Sequence, residues 1–209
     1  MLANRCSIAP YAQVSDLEAT LLESRQRPIV LLRRWAEGDA DLSGVAPGLR
    51  SLGVMLPTTP IHYLLFHESA GRPAGTAWLH QPQALVLVMT SANPGGEPIV
   101  RDNAEAYQRL AGIADAFLDH DRAVLARCDD SVIAPLDSGW QFMRRSRGYA
   151  PLAMRLAQAG PSVLAFGAHL KNMVCLTRGD QAFLSPHVGS LDNAASCKFQ
   201  HETVQRLCQ

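Results

Sequence analysis

The stretch SDLEATLLESRQRPIVLL, residues 15–32, decides the type of fold. Its first half predicts a short helix, because Ser15 and Glu18 have the spacing of an N-terminal capping box. Arg27 and Pro28 end that helix, and the apolar, β-branched run at 29–32 is typical of a buried strand. A helix followed directly by a buried strand is the repeating pattern of α/β proteins.

Helical and extended segments continue to alternate as far as residue 120, which favours an α/β fold with a mixed, twisted sheet over a helical bundle. The next predicted helix begins at Pro60, and its expected core face is Ile61, Leu64 and Leu65. The other predicted elements up to residue 157 are loops at 37–48 and 69–83, strands at 53–56 and 84–89, a helix from a second capping box at 102–105 to 118, an extended segment at 123–127, and a hairpin of strands 132–136 and 140–143.

A domain boundary is expected at Gln158-Ala159-Gly160-Pro161, because small residues with glycine and proline are typical of linkers. It divides the chain into a domain of residues 1–157 and an incomplete second domain of residues 161–209. The second domain is predicted to open with strands at 163–166, 173–177 and 182–184, a turn at 178–180, and a helix at 191–207.

Composition excludes several classes of protein. The 209 residues are 47% hydrophobic with zero formal net charge, and no apolar run approaches the roughly 20 residues of a membrane helix. Residues 1–160 hold 15 arginines, no lysine and 16 acidic residues, which disfavours a free nucleic-acid binder. The N-terminus has no signal-peptide core, so a cytoplasmic protein is expected. Five cysteines without a Cys-x-x-Cys pair indicate reduced thiols and give no support for zinc.

The loop after the predicted strand 84–89 is the first candidate site. It reads Thr90-Ser91-Ala92-Asn93, followed by two glycines, so Ser91 offers a hydroxyl and Asn93 both a donor and an acceptor. Ligands of α/β sheets bind at the carboxyl ends of strands, which makes this a suitable place. A plain turn, in which asparagine and glycine supply unusual backbone angles, remains the alternative.

Arginines and carboxylates form the next candidates. Arg144, Arg145 and Arg147 repel one another unless an anion lies among them, and their planar forks suit phosphate oxygens. A solvated edge strand is the alternative. Asp129-Asp130 could hold magnesium bound to phosphates, pair with these arginines or simply be solvated, and Ser131 could donate to a phosphate.

A glycine turn between two strands, followed by Lys-Asn, is the last candidate. Gly167, Lys171 and Asn172 are predicted to form a hairpin that approaches phosphate, although an ordinary hairpin explains the pattern equally well. His187 is isolated in sequence, and none of the other histidines has a partner at metal-ligand spacing, so no metal site is predicted.

These segments together resemble a known family. Six segments, taken in order, look like the YrdC-like domain of the HypF carbamoyltransferases, which mature nickel–iron hydrogenases. They are Met89–Asn93, Gly96–Ile99, Asp102 to Asp115, His120–Arg122, Arg127–Val132 and Arg144–Pro151. Residues 167–172 and 184–189 are similar to the opening of that family's carbamoyl-transfer domain, which is related to TsaD proteins and has an actin-like fold of the sugar-kinase (ASKHA) class. The resemblance extends from about residue 11 to residue 209.

The resemblance implies a chemistry and a set of partners. In that family the YrdC-like domain joins ATP to carbamate derived from carbamoyl phosphate, which gives carbamoyl adenylate, and magnesium accompanies the ATP. The second domain passes the carbamoyl group to the C-terminal cysteine of a maturation protein, HypE, and the product becomes the cyanide ligand of the hydrogenase iron. The positions that match nucleotide- or phosphate-facing residues of the family are Ser91, Asn93, Ser131, Arg144, Arg145 and Arg147, and those of the second domain's nucleotide approach are Gly167, Lys171 and Asn172.

Departures from the family lead us to expect an impaired fragment. The family's Lys-x-Arg phosphate grip cannot lie in the first 170 residues, which contain no lysine, and its acylphosphatase and zinc modules have no counterpart here. Each missing charged contact is worth about 1.5–3 kcal/mol of binding. We therefore expect weak turnover, and aggregation or dependence on another chain. The alternatives are a threonylcarbamoyl-adenylate synthase, a double-stranded RNA-binding module disfavoured by charge, and an inactive remnant.

Overall fold

The structure, a computed structural model, describes residues 1–35, 42 and 44–209 and divides them into two compact units. The first unit contains Met1–Met89 and Asp130–Arg144, and the second contains Thr90–Asp129 and Arg145–Gln209. Each unit combines helices with a sheet, so the predicted mixed α/β class is confirmed. Most of the loop predicted at 37–48 lies outside the described residues, and its last part, 44–48, consists of turns and bends.

The first unit has a four-stranded sheet in the order β2-β1-β3-β4. Its strands are β1 (Ile29–Arg33), β2 (Ser51–Val54), β3 (Val132–Leu136) and β4 (Gly139–Arg144). The predicted buried strand is therefore central, antiparallel to β2 and parallel to β3. Val30 is in register with both Val54 and Ile133, and all three side chains are buried, so one face of β1 lies in the core.

Helix α1 (Asp16–Glu23) begins as the sequence predicts. The Ser15 hydroxyl accepts the backbone N–H of Glu18 at 3.4 Å, and the Glu18 carboxylate accepts the N–H of Ser15 at 2.6 Å. Both halves of the capping box are present, which satisfies two N–H groups that have no partner inside the helix.

Helix α2 (Pro60–Ser69) also begins where predicted, but its expected core face is wrong. Leu64 and Leu65 are 64% and 36% exposed, whereas Phe66 is fully buried. Phe66 packs in a cluster with Met1, Ala3 and Met55. The helix is turned so that the Phe66 ring fills this cluster.

The strand predicted at 84–89 is wrong. This segment forms only an isolated bridge between Leu2 and Val86. Its apolar side chains are still used, since Leu85 and Leu87 pack against the cluster that contains Phe66. Residues 84–89 therefore have the apolar composition of a strand because they pack in the core, although they do not pair with a strand of the sheet.

The second unit contains helix α3 (Asn103–Leu110), a three-stranded sheet in the order β5-β7-β6, and helix α4 (Ala194–Leu207), which packs on β7. Its strands are β5 (Ala153–Gly160), β6 (Leu164–Phe166) and β7 (Val174–Leu184). Helix α3 ends well before Leu118, ahead of Gly112, a residue that disfavours helix.

One prediction for the last part of the chain is wrong, and a second one stays a prediction. The turn predicted at 178–180 is wrong, because β7 continues through it as one long strand. Residues 158–160 of the expected linker form the end of β5, and the boundary itself stays a prediction. None of the helices described in residues 1–35, 42 and 44–209 has the length and hydrophobicity to cross a bilayer.

Candidate functional site

Residues 91–100, here called the Ser91 loop, lie in the second unit, and several of their backbone carbonyls accept hydrogen bonds within the loop. The Asn93 amide donates to the carbonyls of Pro94 at 3.0 Å and Glu97 at 2.8 Å, and Val100 N–H donates to Ala92 O at 2.8 Å. The Asn93 amide N–H groups thus shape the loop, while Ser91 is exposed. The exposed Ser91 hydroxyl is open to solvent, and its contact with a ligand stays a prediction.

The arginine-rich segment at 145–152 also lies in the second unit and forms a tight turn. Tyr149 and Ala150 donate their N–H groups to the carbonyl of fully buried Ser146, at 3.0 and 2.8 Å. Arg145 Nη2 donates to the carbonyls of Tyr149 at 2.7 Å and Leu152 at 2.9 Å. The guanidinium of Arg145 is thereby fixed against its own turn.

The Arg145 guanidinium has a hydrogen-bond donor that is not used within the described residues. Its Nη1 is buried and has no hydrogen-bond partner in the part of the chain that the structure describes. Burial lowers the pKa of the Arg145 guanidinium from its usual value, because desolvation disfavours the charged form. A partly desolvated cation with an unused donor is favourable for binding an anionic oxygen.

Two predicted site residues belong to the first unit, at the start of β3 and the end of β4. Ser131 is fully buried, and its carbonyl accepts Ile29 N–H at 2.8 Å. Arg144 Nε donates to Asp130 O at 2.7 Å, and Arg144 is in register with Val132. Since Ser91, Asn93, Arg145 and Arg147 are in the other unit, the convergence of the two sets stays a prediction.

The hairpin predicted from Gly167, Lys171 and Asn172 forms between β6 and β7, and it is here called the Lys171 hairpin, residues 167–173. Gly167 N–H donates to Met173 O at 2.8 Å, and a Cβ on Gly167 would lie 2.5 Å from that oxygen, so the position requires glycine. Lys171 is exposed with a positive φ of 51°, at the tip of the turn. Its ammonium group is available to a ligand.

Asn172 has a structural role in this hairpin. It is 1% exposed, its Nδ2 donates to Ala168 O at 2.9 Å, and its Oδ1 accepts from Gln200 Nε2 at 3.0 Å. Its backbone N–H also donates to Gly189 O at 2.7 Å. Both polar atoms of the Asn172 side chain are therefore hydrogen-bonded within the protein and stabilise the hairpin.

Sequence reasoning missed two residues that fix the Ser91 loop. Arg127 Nε donates to Ile99 O at 2.7 Å, and Asn193 Nδ2 donates to Gly96 O at 2.8 Å. Asn193 had a recognisable signal, since asparagine before a helix is a common N-cap. Arg127 had none, because its partners are distant in sequence.

The first unit has an apolar, partly open pocket of about 140 Å³. Its lining includes Tyr11, Leu52, Val54, Met55 and Val88. Sites that enclose drug-sized ligands measure roughly 300–1,000 Å³, so this pocket is too small for a whole nucleotide. No group of three or more potential metal-ligating side chains lies together within residues 1–35, 42 and 44–209.

Comparison with protein families gives two matches along the chain. The Sua5/YciO/YrdC family, described as "Telomere recombination", matches residues 1–146. The HypF Kae1-like domain matches residues 158–209. The two matches follow each other in the order that the sequence predicted.

Similar proteins and structures are carbamoyltransferases of the HypF type. The chain is 60% identical to carbamoyltransferase HypF2 of Cupriavidus necator over 99% of its length, and 47% identical to HypF of Rhizobium leguminosarum bv. viciae over 94%. Two crystal structures are also similar, each over 96% of this chain. Full-length HypF in its phosphate- and nucleotide-bound form has a TM-score of 0.80 and 40% sequence identity. HypF of T. kodakarensis has a TM-score of 0.83 and 36% sequence identity. The chain spans about a quarter of each of these proteins, 26% and 25% of the two relatives and 25% and 24% of the two solved chains.

Proposed function

This chain belongs to the Sua5/YciO/YrdC family, and from that membership we propose that it supplies the part of a HypF-type carbamoyltransferase that makes carbamoyl adenylate. One observation carries the proposal. A Sua5/YciO/YrdC match and a HypF Kae1-like match follow each other within a single alignment to HypF2 that covers 99% of the chain. That combination favours a HypF-type transferase over a threonylcarbamoyl-adenylate synthase.

The proposed reaction is an attack of carbamate on ATP. Carbamoyl phosphate first loses phosphate to water, which gives carbamate. A carbamate oxygen then bonds to the α-phosphorus of ATP, the bond from that phosphorus to the β-phosphate bridge breaks, and pyrophosphate leaves. Negative charge is spread over the phosphoryl oxygens during this step, so donors fixed beside them lower the barrier.

The residues proposed as these donors are on the Ser91 loop and the 145–152 turn. Ser91 offers an exposed hydroxyl. Arg145 offers a half-buried guanidinium already oriented by the carbonyls of Tyr149 and Leu152, so little conformational entropy would be lost on binding. We assign Arg147 to the same role from the family resemblance.

Magnesium would accompany the nucleotide in this proposal. A magnesium ion on phosphates needs only one or two protein carboxylates, so the lack of a three-ligand cluster in the described residues is compatible with it. Asp129 is half-buried next to Arg147, whose backbone N–H donates to the Asp129 carbonyl at 2.9 Å, and its carboxylate would be the group to hold the ion. The ion would neutralise charge on the leaving pyrophosphate.

The second family match extends the proposal to transfer. Lys171 is the exposed cation at the tip of its hairpin and would receive the adenylate's phosphate. The carbamoyl group would then pass to the C-terminal cysteine of a HypE-type protein during hydrogenase maturation in the cytoplasm. Both steps need parts that the full-length relatives have, because this chain covers about 26% of HypF2.

Exchange between ATP and labelled pyrophosphate tests the proposal, measured with carbamoyl phosphate and, separately, with carbamate itself, because the adenylate-forming step needs only carbamate. The 209-residue chain should catalyse a slow exchange that Arg145→Lys and Ser91→Ala reduce by about tenfold, since each change removes a donor worth about 1–2 kcal/mol. Arg155→Lys is the matched control, because Arg155 is exposed on β5 and should leave the exchange unchanged.

Three results would contradict the proposal. Exchange that requires threonine and bicarbonate would assign the chain to threonylcarbamoyl-adenylate synthesis. The absence of exchange from a folded chain would assign it to the inactive remnants. Equal rates for Arg145→Lys and the wild type would remove Arg145 from the site.

A further inference from the structure

The N-cap of helix α4, Asn193, makes two different contacts with its side chain. Asn193 Oδ1 accepts the N–H of Ser196 at 2.8 Å, which caps the helix. Asn193 Nδ2 donates to Gly96 O at 2.8 Å. One amide therefore joins the start of α4 to the Ser91 loop, across a separation of 97 residues in the sequence.

Arg127 makes a second link between α4 and the Ser91 loop. Its Nε donates to Ile99 O at 2.7 Å, its Nη1 pairs with Glu202 at 3.4 Å, and its guanidinium lies 5.8 Å from the ring centre of Phe199. Its Nη2 also lies 3.8 Å from Glu105 in α3. The Arg127 side chain is only 16% exposed, so these interactions are less screened by water than surface ion pairs.

The same helix contacts the Lys171 hairpin. Gln200 Nε2 donates to Asn172 Oδ1 at 3.0 Å, and Asn172 in turn holds Ala168 O and Gly189 O. Asn193 and Gln200 lie seven positions apart, on one face of the helix two turns apart. Helix α4 is thus joined to the Ser91 loop through its N-cap and to the hairpin two turns further along the same face.

We propose that α4 couples the Ser91 loop to the Lys171 hairpin, with Asn193 and Gln200 as positioning residues. A two-turn helical segment is stiff, so a shift of the loop at Gly96 moves the partner of Asn172. The role of this coupling in catalysis rests on the proposed function, in which an adenylate made beside the Ser91 loop is received beside Lys171. The coupling would keep the two positions in fixed register.

Hydrogen exchange of the 209-residue chain without nucleotide tests the coupling independently of catalysis. The variant Asn193→Asp keeps an oxygen that caps Ser196 but removes the donor to Gly96. Gln205→Glu is the matched control, because it makes the same amide-to-acid change on α4 at an exposed residue that contacts His201.

Asn193→Asp should raise exchange in peptides that contain the bonded amides of Glu97 and Val100 by about three- to tenfold, the value of one hydrogen bond. It should also raise exchange at Gly167 in the hairpin by about twofold, while the α4 amide of Cys197 keeps its protection. Gln205→Glu should change none of these rates.

Arg127→Lys provides a second route if Asn193→Asp loosens α4 itself. Lysine keeps the charge beside Glu202 but lacks the Nε donor to Ile99 O, so the loop and the hairpin should again exchange faster together. Faster exchange of the loop with an unchanged hairpin would overturn the coupling, as would unchanged rates in both. A chain that shows the coupling without pyrophosphate exchange would retain this inference and lose only the proposed function.

Discussion

The sheets of the two units differ in how far they are buried. In the first unit, Val30, Leu32 and Ile133 are completely buried at the centre of the sheet. In the second unit, every residue of β5 is exposed. The stability of the first unit therefore depends on apolar burial, whereas polar contacts such as those of Arg127 and Asn193 contribute a larger share of the stability of the second.

The largest effect should come from the core of the first unit. Leu32→Ala removes a fully buried side chain from β1 and should lower the free energy of unfolding by about 2–5 kcal/mol. Leu31→Ala is the control, since Leu31 lies on the opposite face of the strand and is only half-buried. Urea denaturation measures the free energy of unfolding of both variants. Equal losses of stability would contradict the larger role of the buried face of β1.

A smaller effect should come from backbone packing in the second unit. Gly167→Ala places a Cβ 2.5 Å from Met173 O and should cost about 1–3 kcal/mol through the forced shift of the hairpin. Gly160→Ala adds a methyl group at a position with open space around it and should cost much less. If thermal unfolding shows no difference between the two variants, the close approach at Gly167 has no energetic weight.

Helix caps should matter equally in both units, because a cap is a local interaction. Ser15→Ala removes the cap of α1, and Asp102→Ala removes the acceptor for Ala104 and Glu105 N–H at the start of α3. Each change should cost about 1 kcal/mol of stability. Chemical denaturation that gives a cost for Ser15 alone would show that α3 contributes nothing to the second unit's stability.

The smallest effect should come from an ion pair on the exposed sheet. Arg155 and Asp180 lie 3.4 Å apart with side chains that are 87% and 49% exposed. Such a pair is screened by water, so Arg155→Gln should leave the melting temperature unchanged. A clear drop in melting temperature would mean that polar contacts stabilise β5 more than its exposure indicates.

Local signals in the sequence predicted much of the fold. The Ser15–Glu18 capping box, Pro60 at the start of α2 and the apolar run of β1 each depend on residues close together in the chain. The hairpin of β3 and β4 followed from two extended runs separated by Asp137-Ser138-Gly139. These elements are determined by capping, backbone preference and turn geometry, which a sequence displays directly.

The remaining features depend on contacts between distant residues. Residues 84–89 have the composition of a strand, but a ladder also requires a partner, and only the bridge from Leu2 to Val86 forms. Ser91 and Asn93 could be predicted as a loop, whereas Arg127 and Asn193, which hold that loop, contact it across 28 and 97 residues. No periodicity or short motif encodes such pairs.

Hydrogen exchange with and without ATP shows whether the Ser91 loop and the 145–152 turn bind the nucleotide. If the Ser91 loop and the 145–152 turn hold the nucleotide's phosphates, saturating ATP should slow exchange in peptides from both segments, including the amides of Val100 and Tyr149. Protection confined to other parts of the chain, or no protection at saturating ATP, would contradict the proposed site.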